Sequence, residues 1–167
     1  MKRIEPPDIH CLSAAVGWME LGLPAEAETE LDKISAPLQC HPDVLEVRWL
    51  LLAQTRRWEN ALAVAQALLK GAPNRSSGWL HQAYSLRRVS KDGLQQARQA
   101  LLPAYDKFPR EPTIAYNLSC YACQMQQLEE ARAWLRCALK IGGKRKIKQM
   151  ALDDPDLQPL WEEIRKF

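Results

Sequence analysis

A chain of 167 residues is long enough for one domain with its own core and too short to expect two independent ones. A hydrophobic fraction of 47% excludes a disordered chain, and a net charge of +3 gives no general electrostatic mandate to bind nucleic acid. Five cysteines at irregular spacing exclude a disulfide framework and fit a reducing cytoplasm.

The first residues, Met1-Lys2-Arg3-Ile4-Glu5-Pro6-Pro7-Asp8, carry cations but no apolar stretch behind them, so no signal peptide is expected. No later run approaches the roughly 20 apolar residues that span a bilayer. The expectation is an unexported, cytoplasmic protein without membrane insertion.

Asp8, after two prolines, starts the first predicted helix, and Gly22-Leu23-Pro24 turns it into the second. His41-Pro42-Asp43 begins the next pair and Ala72-Pro73-Asn74 ends it. Ser76 opens a third pair, turning near Ser90-Lys91-Asp92-Gly93. Pro109-Arg110-Glu111-Pro112-Thr113 separates it from a fourth, which Gly142-Gly143 closes. No strand signal appears.

The pairs repeat. Ala27, Ala61, Ala97 and Ala131 are 34, 36 and 34 residues apart. Four positions on stand Leu31, Ala65, Leu101 and Leu135, and seven positions on stand Ile34, Leu68, Ala104 and Ala138. A small residue at this period, with apolar partners at helical spacing, marks stacked helix pairs. Antiparallel helices approach closely only where small residues face each other. The second pair departs from the pattern, with Trp49 at a small-residue slot and Ala65 where the other pairs have leucine. A compensating exchange of volume across that hairpin is expected.

The unit from Pro112 to Gly143 reads Tyr116-Asn117-Leu118-Ser119, then Glu129-Glu130-Ala131, Leu135 and Ala138-Leu139. It resembles the tetratricopeptide repeat, and the resemblance covers about residues 8–145. It implies an all-α fold, an α-solenoid of four tetratricopeptide-like helix hairpins plus a C-terminal capping helix. The expected division is an extension at 1–7, repeats at about 8–41, 42–75, 76–111 and 112–145, and a cap at 146–167. In the cap, Ile147, Met150 and Ala151 are expected to face inward, with Leu157, Leu160 and Trp161 folding back as an apolar plug after Pro155. The stretch Ala151-Leu152-Asp153-Asp154-Pro155-Asp156-Leu157 is similar to the ending of many bacterial tetratricopeptide proteins, which implies a bacterial source and a complete C-terminus.

The resemblance also implies a groove lined by the first helix of each hairpin. Its expected lining is Leu12, Val16 and Met19, then Glu46, Leu50 and Gln54, then Ser77, Leu80, Tyr84, Arg87 and Arg88. The last hairpin adds Thr113, Tyr116, Asn117, Cys120, Cys123 and Gln124. Tyrosine and arginine offer large contact area and several donors, so a peptide with apolar anchors and an acidic group near Arg87 and Arg88 is expected. Family members that grip a C-terminal carboxylate use lysine, asparagine and arginine. The matching slots hold Leu12, Val16, Val47, Ser77 and His81, so no carboxylate clamp is expected.

Little else points to chemistry. Cys120 and Cys123 share a helix face, but they lie mid-helix, away from the N-terminal dipole that activates redox thiols. No second cysteine pair completes a zinc site. His10, His41 and His81 show no spacing to a nucleophile, and His41 is expected to be solvated in a loop. No catalytic residue, metal or cofactor is expected. Lys140, Lys144, Arg145, Lys146 and Lys148 form a basic run without interleaved aromatics, so it reads as a solvated helix face rather than a nucleic-acid site. The expected function is an adaptor or scaffold that binds a protein or peptide partner, with no small-molecule substrate. The alternative is a dedicated chaperone of the type III secretion class, which such chains resemble in size and fold.

Overall fold

The computed structural model describes residues 3–166, so the first two residues of the 1–7 extension lie outside the described residues. Among the described residues there are ten α-helices and no strand. In chain order they are α1 (Asp8–Glu20), α2 (Pro24–Lys33), α3 (Pro42–Gln54), α4 (Trp58–Gly71), α5 (Ser76–Val89) and α6 (Gly93–Lys107). Then come α7 (Pro112–Gln124), α8 (Leu128–Gly142), α9 (Lys144–Asp153) and the short α10 (Trp161–Arg165). Two 3-10 turns, Ala36–Leu38 and Pro155–Leu160, join α2 to α3 and α9 to α10.

Local chemistry sets the helix ends. Pro24, Pro42 and Pro112 stand at helix starts, where a missing N–H removes no intrahelical bond. His41 Nδ1 accepts the Asp43 N–H at 3.2 Å, and Glu111 Oε1 accepts the Thr113 N–H at 3.1 Å, satisfying one orphan donor of each helix. His41 is therefore a cap whose side chain is only 9% exposed, not a solvated loop residue.

The hairpin turns share one device. Gly22, Arg56 and Gln126 each lie five residues before the recurring alanine, and all three have positive φ (74°, 57° and 63°). Only the first of them is the glycine that this backbone favours. The longer turn before α6 works differently. A Cβ on Gly93 would stand 2.4 Å from the Leu86 carbonyl oxygen, so only glycine fits there.

The chain forms two compact units, one through Ser85 and one from Leu86. In the first, Leu12, Ala15, Ala27, Leu31, Ile34, Val44 and Leu51 make one core cluster. Ala15 and Ala27 are wholly buried, as close helix approach requires. Asp8 ties the start of α1 to the end of α2, accepting the Ser35 N–H at 2.6 Å and its hydroxyl at 3.0 Å. The anomalous Trp49 shares a second cluster with Leu52, Ala61 and Ala65. The two alanines are fully buried, so α4 gives up the volume that the indole takes on α3.

In the second unit Ala97, Leu101, Ala104, Ile114, Ala115, Leu118, Ala131, Leu135 and Ala138 are fully or almost fully buried. Ser119 is also buried, and its hydroxyl donates to the Ala131 carbonyl at 2.8 Å. Trp134 meets Tyr105 edge-on at 4.9 Å, and its indole N–H donates to Glu130. Burial works against the charge of Glu130, but hydrogen bonds from Arg98 and Trp134 hold its carboxyl below the usual range.

The cap differs in part from expectation. Ile147, Ala151, Leu157 and Leu160 are buried, but Met150 is 38% exposed. It stands one residue from Ala151 on α9, about 100° around the helix, and so turns away from the buried stripe. The inward apolar residue that takes up the packing is Ile164 of α10. Trp161 is half-buried and donates its indole N–H to the Ala151 carbonyl at 2.9 Å. Arg132 holds α10 to α8 through a two-pronged pair with Glu163, at 2.8 and 2.6 Å.

Candidate functional site

Each unit has its own first-helix face. In the first unit Val16 on α1, Leu50 on α3 and Tyr84 on α5 remain 38%, 47% and 37% exposed. Leu12 does not join them. It lies in the core, because the narrow stripe of α1 that packs on α2 includes it together with Ala15.

Behind Tyr84 is a group of rings. Trp49 stacks on His81 at 3.7 Å with an interplanar angle of 8°, and Tyr84 meets the edge of Trp49 and the tilted ring of Trp58, both at 5.8 Å. The Trp49 indole N–H donates to the Ser85 hydroxyl at 3.0 Å, which itself donates to the His81 carbonyl at 2.8 Å. Burial pushes His81 down to about 4, partly opposed by the charge of Glu46, so the ring is neutral at pH 7. Tyr84 is thus held at a fixed angle by rings beneath it while one edge meets solvent.

The remaining first-unit residues are already engaged. Glu46 accepts from Ser77 at 2.6 Å and pairs with Arg75 at 3.3 Å, and Arg75 also pairs with Asp43 at 2.5 Å. Leu80 is half-buried. Gln54 donates to the Met19 carbonyl at 3.4 Å.

In the second unit the expected groove residues come together, but around a segment of the chain itself. The 3-10 turn Pro155–Leu160 packs on α7. Arg87 forms a two-pronged ion pair with Asp156. Tyr116 donates its hydroxyl to Asp154 at 2.9 Å, the Cys120 thiol to the same carboxylate at 3.5 Å, and Gln124 to the Asp156 carbonyl at 3.0 Å. Leu157 and Leu160 are fully or almost fully buried.

The acidic group expected beside Arg87 was that of an outside peptide, whereas the carboxylate found there is the chain's own Asp156. Tyr116 and Cys120 are buried, Asn117 and Arg88 are half-buried, and Gln124 keeps an exposed side chain. As an open surface for an outside ligand, this part of the expected groove is corrected: the chain fills it. The sequence contained the signal, an Asp-Pro-Asp-Leu stretch opposite in charge to Arg87, but spacing along the chain does not say that two segments 69 residues apart meet.

The thiols are not poised for reaction. Burial, then the charges of Asp154 and Asp156, push the Cys120 thiol far above its ordinary range, and burial raises Cys123 as well. Cys120 Sγ and carboxylate oxygens of Asp154 and Asp156 do lie within 4.8 Å of one another. The Arg87 guanidinium pairs with both oxygens of Asp156 and offsets its charge, so the three groups belong to an ion-pair network. Of the basic run, Lys144, Arg145 and Lys146 are exposed on the first turn of α9, whereas Lys148 donates to the Arg165 carbonyl at 2.8 Å.

Paired helices with small residues at their crossings, turned by positive-φ residues at one repeating position, define an all-α tetratricopeptide-like fold of the α-solenoid class. Comparison with solved structures gives the same result. The chain is similar to a thermophilic TPR protein of Thermus thermophilus, at 19% identity and a TM-score of 0.72 over 94% of this chain and 82% of that one. It is also similar to MamA (41 to the end) from Desulfovibrio magneticus RS-1, at 17% identity and a TM-score of 0.71 over 98% and 94% of the two chains. A double mutant of MamA RS-1 matches at 15% identity and 0.69 over 85% and 79%. No family model and no curated protein matches the sequence. No helix among the described residues is long and apolar enough to cross a membrane.

Proposed function

We propose that the chain is a non-enzymatic interaction module, an adaptor or scaffold of the cytoplasm, which takes a peptide or protein segment on the first-helix face of its first unit. The observation that carries this reading is the row of exposed apolar side chains Val16, Leu50 and Tyr84, with Tyr84 fixed over Trp49 and Trp58. A rigid, partly exposed aromatic ring offers contact area at little entropic cost, the property that makes tyrosine common at interface centres. Glu46 and Leu80 are half-buried members of the same expected lining, and the Glu46 carboxylate is already held by Ser77 and Arg75, so the anchors on this face are apolar.

Two groups that could carry chemistry are held in structural roles, which supports the non-enzymatic reading. The buried thiols are held protonated, and His81 stacks flat against an indole. Affinity capture from the source cell with the wild-type chain and with Leu50→Ala/Tyr84→Ala tests the reading. A partner lost from the variant, with unchanged circular dichroism, supports the face, and equal recovery moves the site elsewhere. A partner that stays soluble without this chain points to an adaptor; one that aggregates points to a dedicated chaperone.

A further inference from the structure

The contacts between α7 and the Asp154–Leu160 segment are those of a receptor with a peptide. Tyr116, Cys120 and Gln124 lie four residues apart on one face of α7. They meet, in order, a carboxylate, the same carboxylate and a main-chain carbonyl of the segment. Arg87 supplies the two-pronged grip on the second carboxylate, and Leu157 and Leu160 of the same segment are buried.

The segment is also built like a ligand. Asp154 caps its own turn, accepting the Asp156 N–H at 3.0 Å, and Pro155 and Pro159 restrict the backbone, so little order is lost on seating it. A plain apolar stopper would need only the leucines. Partly buried ion pairs add little net stability over apolar packing, so they are not needed to close the face. The flanks have contacts of their own, since Arg132 ties α10 to α8, Trp161 ties α10 to the Ala151 carbonyl of α9, and α9 packs on α8.

We propose that this face of the second unit is a recognition site for an acidic Asp-x-Asp-Leu segment of a partner protein, and that the chain's own Asp154–Leu160 is its exchangeable resident. The site is additional to the open face of the first unit. A tethered occupant acts at an effective concentration on the order of millimolar, so the partner must supply both the acids and a leucine to displace it. Acidic segments lacking the leucine leave an apolar pocket empty and are rejected.

The test uses the full chain and a fluorescent peptide with the sequence of residues 151–160, followed by anisotropy. The Asp154→Asn/Asp156→Asn variant, whose resident has lost its charges, should bind the peptide at least about tenfold more tightly than the wild type. Adding Arg87→Ala, or replacing the peptide's Leu157 by alanine, should abolish that gain. No binding by a variant with wild-type circular dichroism overturns the proposal. Hydrogen exchange on the unaltered chain covers the case of a misfolded variant. Amides of residues 156–160 should open at lower free energy than those of α7 and α8, and if they exchange only with global unfolding the segment is a fixed plug and the proposal fails.

Discussion

Helices α3 and α7 hold the same place in their hairpins, and Glu46, Leu50 and Gln54 on the one correspond to Tyr116, Cys120 and Gln124 on the other. Their fates are opposite. Leu50 is 47% exposed, whereas Cys120 is 2% exposed beneath the chain's own Asp-Pro-Asp-Leu turn. In each unit the glutamine at the last slot donates to a main-chain carbonyl, of Met19 in one case and Asp156 in the other. The repeat thus supplies equivalent slots, and what covers them is decided by segments outside the repeat. A face in a helical array becomes a binding surface or a core according to whether the chain has residues to spare for it.

The contrast can be broken by truncating either side. Leu157→Ala removes a fully buried side chain and should cost about 2–5 kcal/mol, read as a lower denaturant midpoint. Leu50→Ala, on the open face, should change stability by less than about 0.5 kcal/mol. Similar costs for both would mean that the α3 face is packed in solution.

The ring group behind Tyr84 should mark the first unit by its pH response. His81 has a folded pKa near 4 against about 6.5 unfolded, so the unfolded chain binds the extra proton between these values. Stability from this source is complete above about pH 6.5, falls as the pH drops towards 4, and is flat below. The loss is up to about 3 kcal/mol. Denaturation series with wild type and His81→Gln should differ in slope across that window, and equal slopes would show that the imidazole is not desolvated.

A smaller effect concerns the turns. Gln126→Gly relieves a non-glycine residue at φ 63° and should raise stability by about 0.5–1 kcal/mol, whereas Gly22→Ala at φ 74° should lower it by a similar amount. Another small change is expected at Tyr121, whose hydroxyl is buried with no hydrogen-bond partner among the described residues. Tyr121→Phe should be neutral or stabilising by up to about 1 kcal/mol in thermal unfolding, because nothing is lost with the oxygen. A clear loss would reveal a partner for it.

Much of the fold was legible because its causes are local. Proline at helix starts and the alanine period each follow from near neighbours in sequence, so helix pairing could be read directly, whereas the positive φ at Arg56 and Gln126 was seen only in the structure. The volume exchange between Trp49 and Ala65 was legible too, since both sit at repeat positions. Misplaced residues were those whose environment comes from far along the chain. His41 was expected in solvent and caps a helix, and Met150 was expected inside and faces out.

For the candidate site the division is sharper. Helical spacing put Tyr116, Cys120 and Gln124 on one face, and the resemblance to the tetratricopeptide repeat made that face a groove with a partner's acid beside Arg87. Only the tertiary structure put the chain's own Asp156 there, because an ion pair between segments 69 residues apart depends on how the chain folds back and not on any spacing within it. Among the described residues Val16, Leu50 and Tyr84 stay partly exposed, a property that again depends on tertiary packing and not on local spacing.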